Sequence, residues 1–203
     1  MFRFFKNIFN AIIIVLVIAG INNLYNMHVF DDLITNCSNF FKEKSEQTVQ
    51  KVGDFSQINS EFNVDTAVNL FGYKAVIAEH RASGQRMIII DSGRKKLLTR
   101  EDINGEGIVQ KLDELSNKFK YQSSNVSDIE VIGRGSIYSY EHQLPYVKFK
   151  ARVSRLPISN IIGIIAINDI NPKEERLLIS VNEKNRYSQL ITNEFYRAVR
   201  ESK

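Results

Sequence analysis

The sequence predicts an α+β domain, a mainly antiparallel sheet of about six strands with three or four helices, preceded by an N-terminal apolar helix. Three observations carry this expectation. An uncharged apolar run, Ala11–Ile21, stands close to the N-terminus. Beyond Tyr73 the apolar residues change from three- and four-residue steps to alternation, the period of strands. The strand-like segments mostly follow one another directly, as antiparallel neighbours do, with few helical segments between them. The chain then divides into an N-terminal segment (1–24), a helical stalk or docking helix (25–60) and the domain proper (61–203).

The apolar run is shorter than the ~20 residues that cross a hydrocarbon core, and its extension to Phe4–Leu24 reaches that length. Lys6 then lies near one end, where its ammonium can snorkel to the headgroups. Arg3 and Lys6 precede the run, whereas Asp31 and Asp32 follow it. That bias puts the N-terminus in the cytoplasm and the bulk of the chain outside. The expectation is a single-pass anchor in the cell membrane through residues 4–24. Two alternatives stand beside it: a cleaved secretory signal, with Val17 and Ala19 as small residues before the cleavage point, and a buried core helix of a cytosolic domain, which the length also permits. The outline of apolar helix, continuing helix and sheet is similar in layout to type IV pilin-like proteins. The residues part from that pattern, because the chain has neither a Gly–Phe processing junction nor a Glu early in the apolar segment.

Composition narrows the function classes. Arg3 and Lys6 supply two of the 27 basic residues, and the remaining 25 face 23 acidic ones. A domain so close to neutral gives no global electrostatic support to nucleic-acid binding. The one cysteine, Cys37, excludes an internal disulfide framework and a multi-cysteine metal site. No phosphate-binding glycine loop, nucleophile elbow or zinc signature occurs, so no cofactor and no metal ligand is assigned.

Taken in order, Phe30, Leu33, Ile34, Cys37, Phe40 and Phe41 form an apolar stripe on a helix of roughly 31–52. Cys37 on that stripe reads as a small core residue or as a disulfide partner of a second stalk, and the 30–41 stripe offers a route to a homo-oligomer. A short helix is expected over Val64–Phe71, stopped by Gly72. Tyr73–Ala82 and Arg86–Asp91 read as strands joined at Ser83-Gly84. A basic loop, Arg94-Lys95-Lys96, follows; such a run is ordinarily a solvated turn, and contact with anionic lipid or wall polymer is its functional reading. Thr99 and Asp102 form a capping pair for a helix that buries Ile108, Leu112, Leu115 and Phe119. Ile129–Tyr140 and Tyr146–Val153 make a hairpin around a loop at 141–145. Ile161–Ile167 is apolar on both faces, as an inner strand covered on both sides is. Leu177–Val181 is a further strand, and a helix of about 183–201 turns Tyr187, Leu190, Ile191, Phe195 and Val199 inward.

The candidate site is the polar face of the long hairpin. A five-residue loop sets Tyr140 against Tyr146, Tyr138 against Lys148, and Arg134 against Arg152. Side chains directly opposite lie about 5 Å apart. Arg134, Tyr138, Tyr140, Tyr146, Lys148, Lys150 and Arg152 would then share one surface, suited to a sugar or a phosphorylated polymer. Opposed cations need compensation by acidic side chains, solvent or an anionic ligand. The bland reading is a solvated sheet face in which Lys and Arg stems cover apolar surface. The glycines of Gly133-Arg134-Gly135 suit a bend or a close approach. Glu79 and His80 point to opposite faces of a strand and cannot readily share a proton or ligand. The functional expectation is a membrane-anchored, non-enzymatic binding domain outside the cytoplasm, with a protein partner or an anionic envelope polymer. The alternatives are a hydrolase using His80 or His142 with carboxylates brought near by folding, and a self-associating stalk protein.

Overall fold

In the computed structural model the described residues are 47–70, 73–93, 96–118, 126–153, 160–171 and 174–202. Seven strands form one antiparallel sheet: β1 (Phe62–Leu70), β2 (Tyr73–His80), β3 (Arg86–Gly93), β4 (Val126–Ser139), β5 (His142–Val153), β6 (Asn160–Asn171) and β7 (Glu174–Glu183). Their spatial order is β1-β2-β3-β7-β6-β5-β4. Four helical segments are described: α1 (47–52), α2 (Arg100–Asn104), α3 (Ile108–Lys118) and α4 (Gln189–Ala198). The chain thus runs two meanders. The α2–α3 crossover carries it to the far edge, and the second meander returns to pair β7 with β3 at the centre.

Both faces of the sheet are covered, which is why Ile88-Ile89-Ile90 and Leu177-Leu178-Ile179 are apolar without alternation. Val76, Met87, Ile89, Ile164 and Leu178 point to a first face, against Val52 of α1 and Phe195 and Tyr196 of α4. Ala75, Ile77, Ile88, Ile90 and Leu177 point to the second, against Ile103 of α2 and Ile108 and Leu112 of α3. The Thr99–Asp102 capping box forms as the spacing predicts, each side chain accepting from the other residue's backbone N–H. The inner position expected for Ile161–Ile167 is that of β6.

Three expectations are corrected. The helix expected over Val64–Phe71 is a strand as far as it is described, to Leu70: β1 pairs antiparallel with β2, with a register shift between Val64 and Thr66. That extra residue breaks the two-residue alternation and leaves apolar residues at helix-like steps. The C-terminal helix begins only at its N-cap, Ser188, whose hydroxyl accepts from the Ile191 N–H, and Leu190 is 79% exposed rather than inward. The hairpin loop is not 141–145. Ser139 pairs with His142, so the turn is the two residues Tyr140 and Glu141, at φ 50° and 64°. Positive φ at both centres is the conformation that Asn-Gly ordinarily supplies in tight hairpins.

Among the described residues no helix is long and apolar enough to cross a membrane. The expected anchor 4–24, Cys37 and the 30–41 stripe lie outside the described residues.

Candidate functional site

The true turn resets the hairpin register. Tyr138 faces Gln143, Gly135 faces Tyr146, Gly133 faces Lys148, Glu130 faces Lys150 and Ser127 faces Arg152. Two register shifts, between Ser127 and Glu130 and between Val131 and Gly133, move β4 relative to β5 again. The seven predicted residues therefore do not share one surface. Arg134 lies opposite Val147, which belongs to the second-face core. Its guanidinium donates from Nε to the Ile103 carbonyl (3.3 Å) and from Nη2 to the Gly105 carbonyl (2.6 Å), closing the C-terminal end of α2. Tyr140 is fully buried in the first-face core, and its hydroxyl donates to the Val52 carbonyl at 2.8 Å. Burial and the neighbouring Glu201 and Asp91 raise its pKa, against the opposing pull of Arg176, so the phenol stays protonated. Tyr138 is part-exposed and stands one residue out of phase with buried Ile137, away from the first face.

Tyr146, Lys148, Lys150 and Arg152 do share a face, because they alternate within one strand with Val147, Phe149 and Ala151. The compensation they require comes from side chains that periodicity did not single out. Lys150 Nζ meets Glu130 Oε2 at 2.7 Å, and Arg152 Nη1 meets Asp128 Oδ2 at 3.5 Å. All four of these side chains are about half exposed or more, so solvent screens the pairs and each contributes little to stability. Lys148 differs. Its ammonium lies 5.0 Å from the centre of the Tyr187 ring, a cation–π contact. Tyr187 sits just before the α4 N-cap. Burial raises its pKa to about 12, so its hydroxyl is neutral and able to donate, here to Gln189 Oε1 at 3.1 Å. A Cβ at Gly135 would stand 2.8 Å from the Tyr146 hydroxyl, so the tyrosine ring occupies the space that any other residue there would fill.

Of the two described histidines, neither joins a cluster of ligating side chains. His142 is exposed at the hairpin tip. His80 is buried, its Nδ1 accepts from the Ser83 N–H at 3.2 Å and lies 2.9 Å from Ser83 Oγ, and its Nε2 faces Glu61 at 3.6 Å. Ser83 Oγ in turn accepts from the Gln85 N–H at 3.2 Å. These contacts fix the β2–β3 turn. Glu79 points the other way, to Arg86 at 2.7 Å, as strand alternation predicts. Among the described residues no three His, Cys, Asp or Glu side chains converge as metal ligands would. A cleft of about 270 Å³ at the α2–α3 junction is lined by Glu101, Asp102, Lys111 and Glu114. Its Asp102 is committed to the capping box, and Lys111 lies 3.9 Å from Glu114.

No family model matches the chain, and no curated protein does. Among solved structures, the solution structure of cyanobacterial PsbP (CyanoP) from Synechocystis sp. PCC 6803 is similar over 68% of this chain and 89% of that one, with 9% identity and a TM-score of 0.37. That is a likeness of outline, and nothing about activity follows from it.

Proposed function

We propose that this chain is a membrane-anchored, non-enzymatic binding protein whose α+β domain stands outside the cytoplasm and binds an anionic partner on the Tyr146–Lys148–Lys150–Arg152 face. The observation that carries the reading is the placement of those cations on one strand face, half-buried at Lys148 and exposed at Lys150 and Arg152, where among the described residues they meet weak, solvent-screened pairs and a ring. Such a face keeps its side chains available, because opening the pairs costs little when an anion replaces the carboxylates. The anchor is the 4–24 segment.

Geometry supports an outward-facing site. The chain enters the domain through α1, which is held beside the hairpin turn by the Tyr140–Val52 hydrogen bond. Lys150 and Arg152 lie eight and ten residues along β5 from His142 at that turn, roughly 27–33 Å at the rise of a strand. The face would then be presented away from the bilayer.

Full-length protein in detergent should co-sediment with isolated envelope fragments, and Lys148→Glu with Lys150→Glu should abolish this while urea denaturation shows the fold intact. Unchanged sedimentation of the double variant would remove the reading. For the anchor, the chain should stay in the membrane fraction with Met1 retained, and its domain should be digested only by protease added outside. Recovery from the cytosol would overturn the compartment.

A further inference from the structure

We infer that the ligand of this face is an extended polyol- or sugar-phosphate polymer, its phosphodiesters lying along β5 with Lys148 as the central contact. The inference rests on the functional reading of the face given above and names the ligand class.

The first argument is spacing. Lys148, Lys150 and Arg152 are alternate residues of one strand, so their origins are separated by about 6.7 Å. Three backbone bonds of a peptide advance by about 3.5 Å when extended, so the six bonds between successive phosphorus atoms of a glycerol phosphate chain advance by roughly 7 Å. Successive phosphates of such a chain can meet successive cations without either partner bending.

The second argument is the character of each cation. Among the described residues the Lys148 ammonium meets an aromatic face and no carboxylate. It is the position at which an added anion displaces nothing. Lys150 and Arg152 are flanked by Glu130 and Asp128, which are exposed enough to swing aside or to share the cation. Arg152 offers a planar fork that a phosphate accepts bidentately.

The third argument decides between polymers with the same linkage. A single-stranded nucleic acid also has six bonds between phosphates, but its binders present a strongly basic groove. Here Glu130 and Asp128 of the neighbouring β4 lie beside the row, and beyond Arg3 and Lys6 the chain is almost neutral. A sparsely charged, hydroxyl-rich chain fits that surface better than a nucleic acid.

The test uses the full-length protein in neutral detergent micelles and fluorescently labelled poly(glycerol phosphate) of about ten repeats, followed by anisotropy at rising salt. The expected result is saturable binding that weakens with salt, falls at least tenfold in Lys148→Glu and severalfold in Lys150→Glu, and is not matched by monomeric glycerol phosphate. Lys148→Gln serves in place of Lys148→Glu if the charge reversal disturbs the fold. Undiminished binding by these variants would overturn the inference. So would equal binding of an oligothymidylate or of polyglutamate, or binding to phosphatidylglycerol vesicles in place of the free polymer. If the polymer fails to bind while envelope sedimentation still depends on Lys148, the ligand class is wrong and the binding face stands.

Discussion

At the scale of single residues, burial decides what each ionisable group does. Glu175 is nearly inaccessible, and its carboxylate accepts from the Leu97 N–H at 2.8 Å, tying the loop before α2 to the sheet. Burial raises its pKa above the usual 4.5, and the hydrogen bonds from Leu97, Leu98 and Ser92 recover only part of that shift. The folded state therefore holds this proton more tightly than the unfolded chain. The resulting stabilisation is complete below the unfolded value near 4.5 and is lost as pH rises through the higher folded value. Glu175→Gln, neutral at every pH, should abolish this acid-side gain. Melting temperatures between pH 4 and 7.5 should show wild type gaining on the variant as pH falls. The slope is the readout, because an altered hydrogen bond shifts both ends of the curve alike. Parallel curves would show that Glu175 does not titrate in this way.

At the scale of elements, α4 is attached to the sheet by polar contacts as well as by Phe195 and Tyr196. Gln85 is fully buried; its Nε2 lies within hydrogen-bond distance of Ser180 Oγ (2.9 Å), the Ser188 carbonyl (2.9 Å) and Thr192 Oγ1 (2.7 Å) and shares its two N–H groups among them, while its Oε1 accepts from the Ser188 N–H (2.8 Å). Gln85→Ala strands these partners in a closed interior and should destabilise the domain by about 2–4 kcal/mol in urea titrations. A loss below about 0.5 kcal/mol, the size of an ordinary surface substitution, would mean that the network holds little. None of this network is visible in periodicity, since Gln85 lies 95 and 107 residues from Ser180 and Thr192. What the sequence did disclose was whatever is encoded locally. The Thr99–Asp102 box, the β2 and β3 strands and the two-sided β6 follow from spacing of a few residues. The polar row of β5 was legible for the same reason, since alternation within one strand needs no partner. Its neighbours were not. The Tyr140-Glu141 turn lacks glycine and asparagine, and its positive φ is held by the buried Tyr140 ring, the Val52 carbonyl and a hydrogen bond from the Tyr140 N–H to the Val199 carbonyl. Bulges in β1 and β4 broke the alternation that would have revealed β1 and placed Arg134 on the second face.

At the scale of the whole molecule, α1 and the C-terminal residues are fastened together beside the sheet. Asp54 and Arg200 exchange backbone hydrogen bonds at 2.9 and 3.1 Å, and Ser202 Oγ donates to the Gln50 carbonyl. Glu201 takes a bidentate contact from Arg176 Nη1 at 2.7 and 2.8 Å, and the Arg176 guanidinium lies 4.6 Å from the centre of the Tyr140 ring. The C-terminal strap, the hairpin turn and the last turn of α1 thus form one clasp around a buried arginine. Glu201→Ala removes a half-exposed carboxylate that pairs with a buried guanidinium. The expected cost is about 1–3 kcal/mol, reduced from that of a fully buried pair by the exposure of Glu201. Amide exchange should also quicken at Asp54 and Arg200, whose N–H groups close the strap, while the protection of β3 and β7 at the sheet centre persists. Glu201→Gln, which keeps an acceptor for Arg176, should fall between the two. If exchange at Asp54 and Arg200 is unchanged in Glu201→Ala, the strap is held by its backbone pairing alone and the ion pair has no part in joining the C-terminal residues to α1.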